Sequence, residues 1–396
     1  MSARVGRVVV IGGGLRGCWT AFFLRRRGVD VTVIEKGAVG AQASGVNFGN
    51  LRLQGRYPGQ YPLSLRAHAI WERIEALIGE RCEFAQEGHL YLAYGAEQDE
   101  KLHHIVEEAH AHGVASTLQY PAEIRARWQW LSDGVTSASW SARDATANPR
   151  LVTPAVARAA RALGAVILEQ TRVEGIEPAS DGFRVTTDRG QVFDCAHLVN
   201  TAGAWAPAIL ALFGETAPLF AAGPPQFVTE ALPRFIFPSV QAIDGSIIFR
   251  QVERGNVVFA GYPRGASDPL RNRAPVQPEK TVAGLRNLVR AVPRLAAAHI
   301  IRVWSGIEGY LPDMLPVIGP SGAHPRLLHA FGFCGHGFQL GPGVGDTLAE
   351  IIVNGGTQIP LEDFSIARFS EAKAPSEKLL AEFDATLVQS ATGKQP

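Results

Sequence analysis

Three glycines near the start of the chain have the spacing of a phosphate-binding turn. Gly12, Gly14 and Gly17 fit the pattern G-x-G-x-x-G. The first glycine of this pattern makes a tight turn, the second lets the backbone approach a pyrophosphate, and the third allows a helix to pack closely on a strand. A helix is predicted to begin at Leu15, and its free N–H groups and partial positive charge favour an anion. The motif therefore predicts a dinucleotide site, although alone it does not choose between a flavin and a nicotinamide.

An acidic side chain follows at the position where a ribose would be recognised. Glu35 ends the next predicted strand, 18 residues after Gly17. A carboxylate there accepts hydrogen bonds from ribose hydroxyls and repels a 2′-phosphate. Lys36 comes next and is included in the predicted site. A glycine-rich turn without a ligand is the alternative, and the combination of motif, strand context and Glu35 disfavours it.

A loop rich in small and amide side chains comes after the Glu35 strand. Short polar side chains can bond phosphate oxygens and ring edges without adding bulk. An ordinary surface loop has a similar composition, so both interpretations stay open at this point. The predicted binding residues of this loop are Ser44, Asn47, Gly49, Asn50 and Leu51.

A second glycine-rich turn lies in the last third of the chain, before a predicted helix at about residues 344–353. A helix N-terminus would stabilise a ring that becomes negatively charged on reduction. Two such turns so far apart are hard to explain with a nicotinamide alone and favour a flavin. The predicted binding residues here are Gly332, Gly335, His336, Gly337, Phe338 and Gln339, within a glycine-rich loop at 332–345.

The elements that must position these motifs alternate in type. Buried apolar runs at 8–11, 31–34 and 197–200 predict parallel strands, and helices are predicted at about 15–27 and 61–78. The predicted fold class is α/β: a discontinuous Rossmann-like nucleotide-binding domain with an inserted, β-rich α+β substrate domain. The predicted boundaries are 1–83, 148–218 and 316–370 for the first domain, 84–147 and 219–315 for the second, and 371–396 for a tail with a helix and a loose end.

Composition excludes several classes of protein. The 38 basic and 37 acidic residues give a net charge of +1, which argues against a nucleic-acid partner. None of the four cysteines forms a C-x-x-C pair, so no metal site is predicted, and the scattered cysteines suit a reducing compartment. No signal-peptide pattern and no apolar stretch of ~18 residues is present. We therefore expect a cytoplasmic protein without a transmembrane segment.

The chain resembles the D-amino-acid-oxidase-type flavoprotein superfamily, which includes glycine oxidase, sarcosine oxidase and D-amino-acid dehydrogenases. Its stretches at 249–264 and 303–320 are similar to the FAD subunits of sarcosine oxidase β, D-hydroxyproline dehydrogenase and opine oxidase type. The resemblance is carried by VVVIGGGLRG at 8–17, VIEKG at 33–37, TAGAWA at 201–206, YLPDMLPVIGP at 310–320 and GFCGHGFQLGPGVGDTLAEII at 332–352.

The resemblance implies an extended FAD and an amine substrate. FAD would run from Gly12 and Glu35 to the second glycine-rich turn, with the backbone of Val173 at the adenine. The reaction would be hydride transfer from the Cα–H of an amino or imino acid to flavin N5, with no base required of the protein. Suitable substrates are secondary amines such as D-hydroxyproline, an opine or sarcosine. The TAGAWA stretch contributes Thr201, Ala202, Gly203 and Trp205 to the implied cofactor site.

Two departures from the family pattern concern the flavin and its oxidant. Gly306 stands where monomeric sarcosine oxidases have a cysteine that tethers FAD, so noncovalent FAD is expected. Gln339 stands where those oxidases have a lysine that promotes oxygen reduction. The electrons are therefore expected to pass to a partner subunit or a quinone, in a hetero-oligomer.

Candidate substrate contacts are few. A substrate carboxylate would suit an arginine fork, with Arg52 as first candidate and Arg250 as second. Glu308 stands where glycine oxidases have an arginine and could receive a substrate cation. His336 is also a candidate, and Tyr262 could line the pocket. A structural role is the alternative for each of these residues.

Three other functions stay open from the sequence. An NAD(P)-dependent dehydrogenase would be colourless, whereas a flavoprotein is yellow. An amine or glycine oxidase would use oxygen directly. A subunit of a larger electron-transfer complex that binds FAD only for structure would contain a flavin that no amine bleaches.

Overall fold

A computed structural model describes residues 6–261, 263–371, 373–384 and 387–388. Tyr262, the first five residues of the predicted nucleotide-binding domain and most of the predicted loose end lie outside the described residues. The strands are β1 (Val8–Ile11), β2 (Val31–Ile34), β3 (Asn50–Leu51), β4 (His89–Ala93), β5 (Thr117–Gln119), β6 (Ser137–Ser141), β7 (Ala145–Thr146), β8 (Val166–Leu168), β9 (Val173–Ala179), β10 (Gly182–Thr187), β11 (Val192–Cys195), β12 (His197–Asn200), β13 (Phe220–Gly223), β14 (Gln226–Ala231), β15 (Ser239–Ala242), β16 (Ile248–Gln251), β17 (Asn256–Ala260), β18 (Gly265–Ala266), β19 (Ile300–Trp304), β20 (Glu308–Tyr310), β21 (Val317–Pro320) and β22 (Leu327–Phe331).

Helices cover one face of the first sheet and the outside of the second. They are α1 (Leu15–Arg26), α2 (Ala43–Val46), α3 (Tyr61–Trp71), α4 (Ile74–Ile78), α5 (Ala96–Ala111), α6 (Pro121–Arg127), α7 (Pro149–Ala162), α8 (Ala206–Ala211), α9 (Pro278–Ala291), α10 (Gly337–Asn354) and α11 (Glu377–Glu382). Within the described ranges, no helix combines the length and the apolar character needed to cross a membrane.

The first large sheet has β1 near its centre, in the order β21-β22-β12-β1-β2-β8. Its strands are parallel except for β21. Val8 and Val10 pack against α1, α7 and α10, while Val9 and Ile11 pack against the three-stranded sheet of β9, β10 and β11. Both faces are covered, which is why these strands are continuously apolar.

The second large sheet has the order β19-β14-β17-β16-β15-β4-β6-β5. Its pairs are antiparallel except for β15 with β4. Phe227 and Phe259 stack at 5.0 Å between ring centroids beneath α9. Strands of the two large sheets come from alternating parts of the chain, and the α/β fold class is confirmed. The exact domain boundaries stay a prediction.

The glycine-rich loop predicted at 332–345 is wrong in its second half, because α10 begins at Gly337 rather than near Val344. The glycines of α10 are packing contacts. A Cβ at Gly341 would lie 2.5 Å from the Leu15 side chain, one at Gly343 2.8 Å from the Leu63 carbonyl oxygen, and one at Gly345 2.5 Å from the Trp19 Cβ. The missing side chains let α10 lie directly on α1 and α3.

The helix predicted at 61–78 is interrupted, which also corrects the sequence analysis. It divides into α3 and α4 because Arg73 leaves the helical region, with φ −115° and ψ 18°. Neither glycine nor proline marks this break, so no local pattern predicts it. The turn lets Ile74 and Ile78 join the core with Trp71.

Replacing Gly345 by valine tests the contact between α10 and α1. Steric overlap with Trp19 is expected to lower the free energy of unfolding by about 1–3 kcal/mol or more, measured by urea denaturation. Gly356→Val is the matched control, since nothing lies within 4 Å of a Cβ built there. Equal stability of the two variants would contradict the packing interpretation.

Candidate functional site

Two cavities lie between the two large sheets and meet at Arg16, Ala43 and Glu308. The first cavity has a volume of about 400 Å³ and begins at the phosphate-binding turn. The second has a volume of about 460 Å³ and extends to the second large sheet. Predicted site residues on the first are Gly12, Gly14, Glu35, Lys36, Ser44, Val173, Thr201, Ala202, Gly203, Trp205, Glu308 and Gly332. Those on the second are Asn47, Gly49, Asn50, Arg52, Glu308, Gly335, His336, Gly337 and Phe338.

The phosphate-binding turn joins β1 to α1 without room for side chains. Gly12 has φ +106°, and a Cβ there would lie 2.6 Å from the Thr201 carbonyl oxygen. A Cβ at Gly17 would lie 2.0 Å from the Gly12 carbonyl oxygen. Gly17 and Leu15 do not line either cavity; Gly17 allows the close packing, and the Leu15 amide donates to Ser44 Oγ at 2.9 Å. The turn thus presents the backbone of Gly14 to the first cavity.

Glu35 organises the edge of the first cavity. One of its carboxylate oxygens accepts from the Gly13 amide and the other from the Gly37 amide, each at 2.7 Å. A carboxylate has about four lone-pair sites, so each oxygen can accept a further hydrogen bond. This geometry fixes the carboxylate where β2 ends, facing the cavity.

Lys36 and Trp205 line the first cavity and contact each other. The Lys36 ammonium lies 3.2 Å from the centroid of the Trp205 ring. Partial burial lowers the pKa of Lys36 to about 8. The Trp205 indole donates to the Pro269 carbonyl oxygen at 3.1 Å. This bond holds the 201–206 stretch against the loop that contains Pro269.

The loop after β2 is held by its own side chains. Asn47 Nδ2 donates to the carbonyl oxygens of Ala43 and Ser44, and its Oδ1 accepts from the Gly49 amide. Leu51 is buried in β3 and lines neither cavity. Asn47 therefore shapes the loop, and the cavity receives mainly backbone from it.

Gly306 packs on the same loop. A Cβ at Gly306 would lie 2.0 Å from Val46 Cγ2, and Gly306 lines neither cavity. No side chain fits at this position beside Val46, which agrees with the expectation that no cysteine tethers a cofactor there.

Glu308 ties the second glycine-rich turn to β20. Its carboxylate accepts from the Gly335 amide at 2.8 Å and from the Tyr310 hydroxyl at 2.6 Å. Its charge raises the pKa of Arg16, which burial lowers to a net value of about 10. Both Glu308 oxygens are engaged within the chain, and these bonds hold the second glycine-rich turn against β20.

Arg52 and Arg56 form the cationic floor of the second cavity. Arg52 Nη1 donates to the carbonyl oxygens of Gln54 and Gly55. Arg56 donates to the Arg52 carbonyl oxygen from Nε and Nη2, whereas its Nη1 is buried without a partner. Burial and the neighbouring Arg52 lower the pKa of Arg56 to about 9. Both arginines line the second cavity, and among the described residues neither forms an ion pair.

His336 is neutral and lies between Gly335 and Gly337, directly before α10. Lys378 Nζ lies 2.9 Å from His336 Nε2 and donates to it. Burial and the nearby cations Lys378, Arg56, Arg52 and Arg264 hold the pKa of His336 well below its usual range. Nε2 is therefore an acceptor, and the proton is on Nδ1, which is buried without a partner in the described part of the chain.

Arg250 and Gln339 lie away from both cavities. Arg250 donates to the carbonyl oxygens of Phe48 and Ala147 at 3.1 and 3.2 Å, which makes it a brace between the 44–51 loop and β7. Gln339 is 1% exposed and exchanges hydrogen bonds with Ser64 on α3. The structure therefore places neither residue where it would contact a substrate in these cavities.

Four cavity residues escaped the sequence analysis. Arg16 occupies a variable position of the glycine motif, lies 4.4 Å from the Phe333 ring centroid and lines both cavities. Arg56 follows Arg52 by four residues, a spacing that could have drawn attention to it. Arg264 and Lys378 also line the second cavity, and nothing local in the sequence signals their approach.

The hydrogen-bonding groups of the two cavities and the open backbone at Gly14 fit a flavin dinucleotide. A Cβ at Gly14 would meet only Ser44 Oγ, at 3.0 Å, so the backbone there is open to a pyrophosphate. Glu35 offers acceptors for ribose hydroxyls, and His336 Nδ1 is a donor without an acceptor. The described residues contain no group of three metal-ligating side chains.

Comparisons with known proteins agree with this geometry. The family described as "DAO: FAD dependent oxidoreductase" matches residues 7–351. Human mitochondrial sarcosine dehydrogenase is 27% identical over 380 residues, covering 91% of this chain and 41% of that protein, so the chain spans about two fifths of that relative. Sarcosine oxidase subunit beta of Rhizobium meliloti is 26% identical over 379 residues, covering 94% of this chain and 90% of that protein. The crystal structure of L-proline dehydrogenase from P. horikoshii has a TM-score of 0.87 and 28% identity, covering 94% and 100% of the two chains.

Replacing Glu35 by alanine tests its role at the ribose. We expect weaker FAD binding by about 1.5–3 kcal/mol, the range for hydrogen bonds to a charged group. Titration of FAD into the apoprotein, followed by quenching of flavin fluorescence, measures the change. Glu177→Ala, an exposed position on β9, is the control. Unchanged FAD retention in Glu35→Ala after dialysis would refute the assignment.

Proposed function

Because the chain belongs to the DAO family of FAD-dependent oxidoreductases, we propose that it oxidises the carbon–nitrogen bond of an amino or imino acid. Secondary amines such as sarcosine, hydroxyproline or an opine are the proposed substrate class. The observation that carries the proposal is the junction of the two cavities. One fits a dinucleotide, and the other, reached past Arg16 and Glu308, presents unpaired arginines suited to a carboxylate.

FAD, when bound, supplies the acceptor for the hydride of the substrate Cα–H. The role of Gly12, Gly14 and Gly17 is to bring α1 close to the pyrophosphate, and the role of Glu35 is to hold the ribose. Noncovalent binding is proposed, in keeping with the contact between Gly306 and Val46. These roles need no movement of the turn, because its geometry is already set by packing.

Arg52 is proposed to anchor the substrate carboxylate. Backbone carbonyl oxygens of Gln54 and Gly55 orient its guanidinium, and the Tyr91 ring lies 5.2 Å away. A preoriented guanidinium binds a carboxylate with less loss of side-chain freedom. Arg56 lines the same cavity and adds positive charge, which the Asp144 carboxylate partly offsets. Burial raises the pKa of Asp144 to about 6, and the two arginines oppose that rise.

Orientation and exclusion of water are the protein's remaining contributions. Tyr91, Ile248 and Phe338 narrow the second cavity. His336 is neutral and donates from Nδ1, so it adds no charge to the wall. No side chain needs to act as a base, in keeping with the engaged oxygens of Glu308.

The test is anaerobic mixing of the purified protein with D-amino acids, sarcosine, hydroxyproline isomers and opines. We expect a yellow protein whose flavin absorbance bleaches with at least one of them. Arg52→Met should raise the half-saturating amine concentration about 10- to 100-fold while FAD stays bound. Arg302→Met, an exposed position on β19, is the control.

The outcomes separate the competing functions. A colourless protein that reduces a nicotinamide would support the NAD(P)-dependent alternative. A yellow protein that no amine bleaches would identify FAD as a structural group. Equal behaviour of Arg52→Met and Arg302→Met would remove Arg52 from the site.

The proposed electron acceptor is a partner subunit or a quinone. Two of the compared proteins are dehydrogenases by name, which supports this choice, while the third is a subunit of an oxidase. Gln339 does not contribute to the argument, because it is bonded to Ser64 away from the cavities.

Reoxidation rates test the acceptor. Protein reduced with its substrate should be reoxidised by an artificial dye at least about tenfold faster than by air, because a flavoprotein that passes its electrons to a partner subunit or a quinone gives them up slowly to oxygen. Stopped-flow absorbance of the flavin follows both reactions. Air reoxidation as fast as dye reoxidation would establish the oxygen-using alternative instead.

A further inference from the structure

The tail segment (residues 376–384) forms one wall of the second cavity. Lys378, Ala381 and Glu382 line this cavity from α11. The wall lines the same cavity as the floor formed by Arg52 and Arg56, and it contacts His336 just before α10. The substrate-binding volume is therefore completed by a part of the chain that follows both large sheets.

Polar contacts fix the tail segment in place. Arg264 Nη1 pairs with Glu382 at 2.5 Å, and both side chains are buried. The Arg264 amide donates to the Glu382 carbonyl oxygen at 2.9 Å, and the Asp384 amide donates to the Arg264 carbonyl oxygen at 3.2 Å. Lys280 on α9 pairs with Asp384 at 2.9 Å.

Apolar contacts fix it as well. Leu379 is fully buried and Phe383 is 4% exposed. The Phe383 ring lies 5.3 Å from Phe220 and 4.8 Å from Tyr310, measured between centroids. Residues 376–384 are thus a packed wall, and most of the loose end predicted after the tail helix lies outside the described residues.

Lys378 is the cation that this wall presents. Its Nζ donates to His336 Nε2, and within the described residues it forms no ion pair. The nearby Glu382 carboxylate is already engaged by Arg264. Although Lys378 exposes surface to the open cavity, enclosure by the protein lowers its pKa to about 8, with Glu382 opposing and Arg52 and Arg264 adding to the effect.

The charges around the second cavity do not balance. Carboxylates on its lining are Asp244, Glu308, Glu377 and Glu382, and cations are Arg16, Arg52, Arg56, Lys101, Arg264 and Lys378. Lys101 pairs with Glu97 outside the lining, and Arg264 pairs with Glu382. Arg16 interacts with Glu308. The cations that remain are Arg52, Arg56 and Lys378, against the two carboxylates Asp244 and Glu377, so the lining keeps an excess of positive charge.

Two cationic positions in one cavity match a ligand with two anionic groups. Cations that line one protein-enclosed space repel, and Arg52 contributes to the lowered pKa of Lys378. A dianion reduces this repulsion at both positions. A monocarboxylate bound at Arg52 would offset one of the two charges on the floor and would bring no carboxylate to Lys378. The difference in affinity between the two ligands is therefore expected to arise at Lys378.

We propose that Lys378 is a specificity-determining residue that binds a second carboxylate, so that the cavity prefers amines with two carboxylates over amines with one. The inference rests on the proposed function for its reaction, since the amine oxidised is the ligand in question. The tail segment is then the element that sets the substrate class, while Arg52 receives the carboxylate common to all candidates.

Sarcosine and iminodiacetate form a matched pair of probes, because they differ by one carboxylate on the N-methyl carbon. In anaerobic bleaching, the FAD-loaded protein should half-saturate at an iminodiacetate concentration at least about tenfold below that of sarcosine. Lys378→Met should remove this preference by raising the iminodiacetate value about tenfold or more, with less than about a threefold change for sarcosine. Lys378→Arg should retain the preference.

Lys373→Met is the control, because Lys373 is an exposed lysine on the same tail that does not line the cavity. Calorimetric titration of both probes into the FAD-loaded proteins gives the binding preference independently of bleaching. Equal losses for both probes in Lys378→Met, or no dicarboxylate preference in the unchanged protein, would overturn the proposal. If the calorimetric preference is present and no amine bleaches the flavin, the binding inference holds and the proposed oxidation fails.

Discussion

The close contact between α1 and α10 is the constraint on which the site depends. The glycines of α10 leave no side chains between the two helices, so Leu15 and Trp19 of α1 lie against its backbone. Both helices then begin at the same group of cavities, one at the phosphate-binding turn and the other at Gly337. A bulkier residue in this contact would move one helix start away from the other and separate the two halves of the site.

The second cavity depends on a different arrangement. Backbone carbonyl oxygens orient the guanidinium groups of Arg52 and Arg56, and no carboxylate forms an ion pair with them among the described residues. Arg52 and Arg56 both donate to nearby backbone carbonyl oxygens, although Arg56 Nη1 has no partner among the described residues, and neither charge is neutralised by an ion pair. This arrangement keeps the guanidinium groups rigid without an internal ion pair that a ligand would have to break. By contrast, Arg264 forms an ion pair with Glu382, and this pair holds the tail segment against the cavity.

Much of the frame could be predicted from the sequence, because it depends on local patterns. Buried apolar runs gave β1, β2 and β12, and the spacing of Gly12, Gly14 and Gly17 predicted the turn between β1 and α1. The glycines of α10 were misread as a loop, since composition alone does not distinguish a flexible turn from a helix packed too closely for side chains. Gln339 was expected near the flavin from its position in a motif, but helical phase turns it toward Ser64. Lys378 could not be found at all, because only the tertiary fold brings residues 376–384 to the cavity.

The contact between Gly306 and Val46 restricts the order in which substitutions at these two positions can be accepted during evolution. A Cβ at 306 would overlap the Val46 methyl group, so a cysteine introduced there alone would disturb the loop that shapes the cavity. A smaller residue at 46 would have to come first, and that change by itself would leave a void. The two positions are therefore epistatic: a covalent cofactor link by this route requires an ordered pair of substitutions, of which the first brings no benefit and the second is harmful alone.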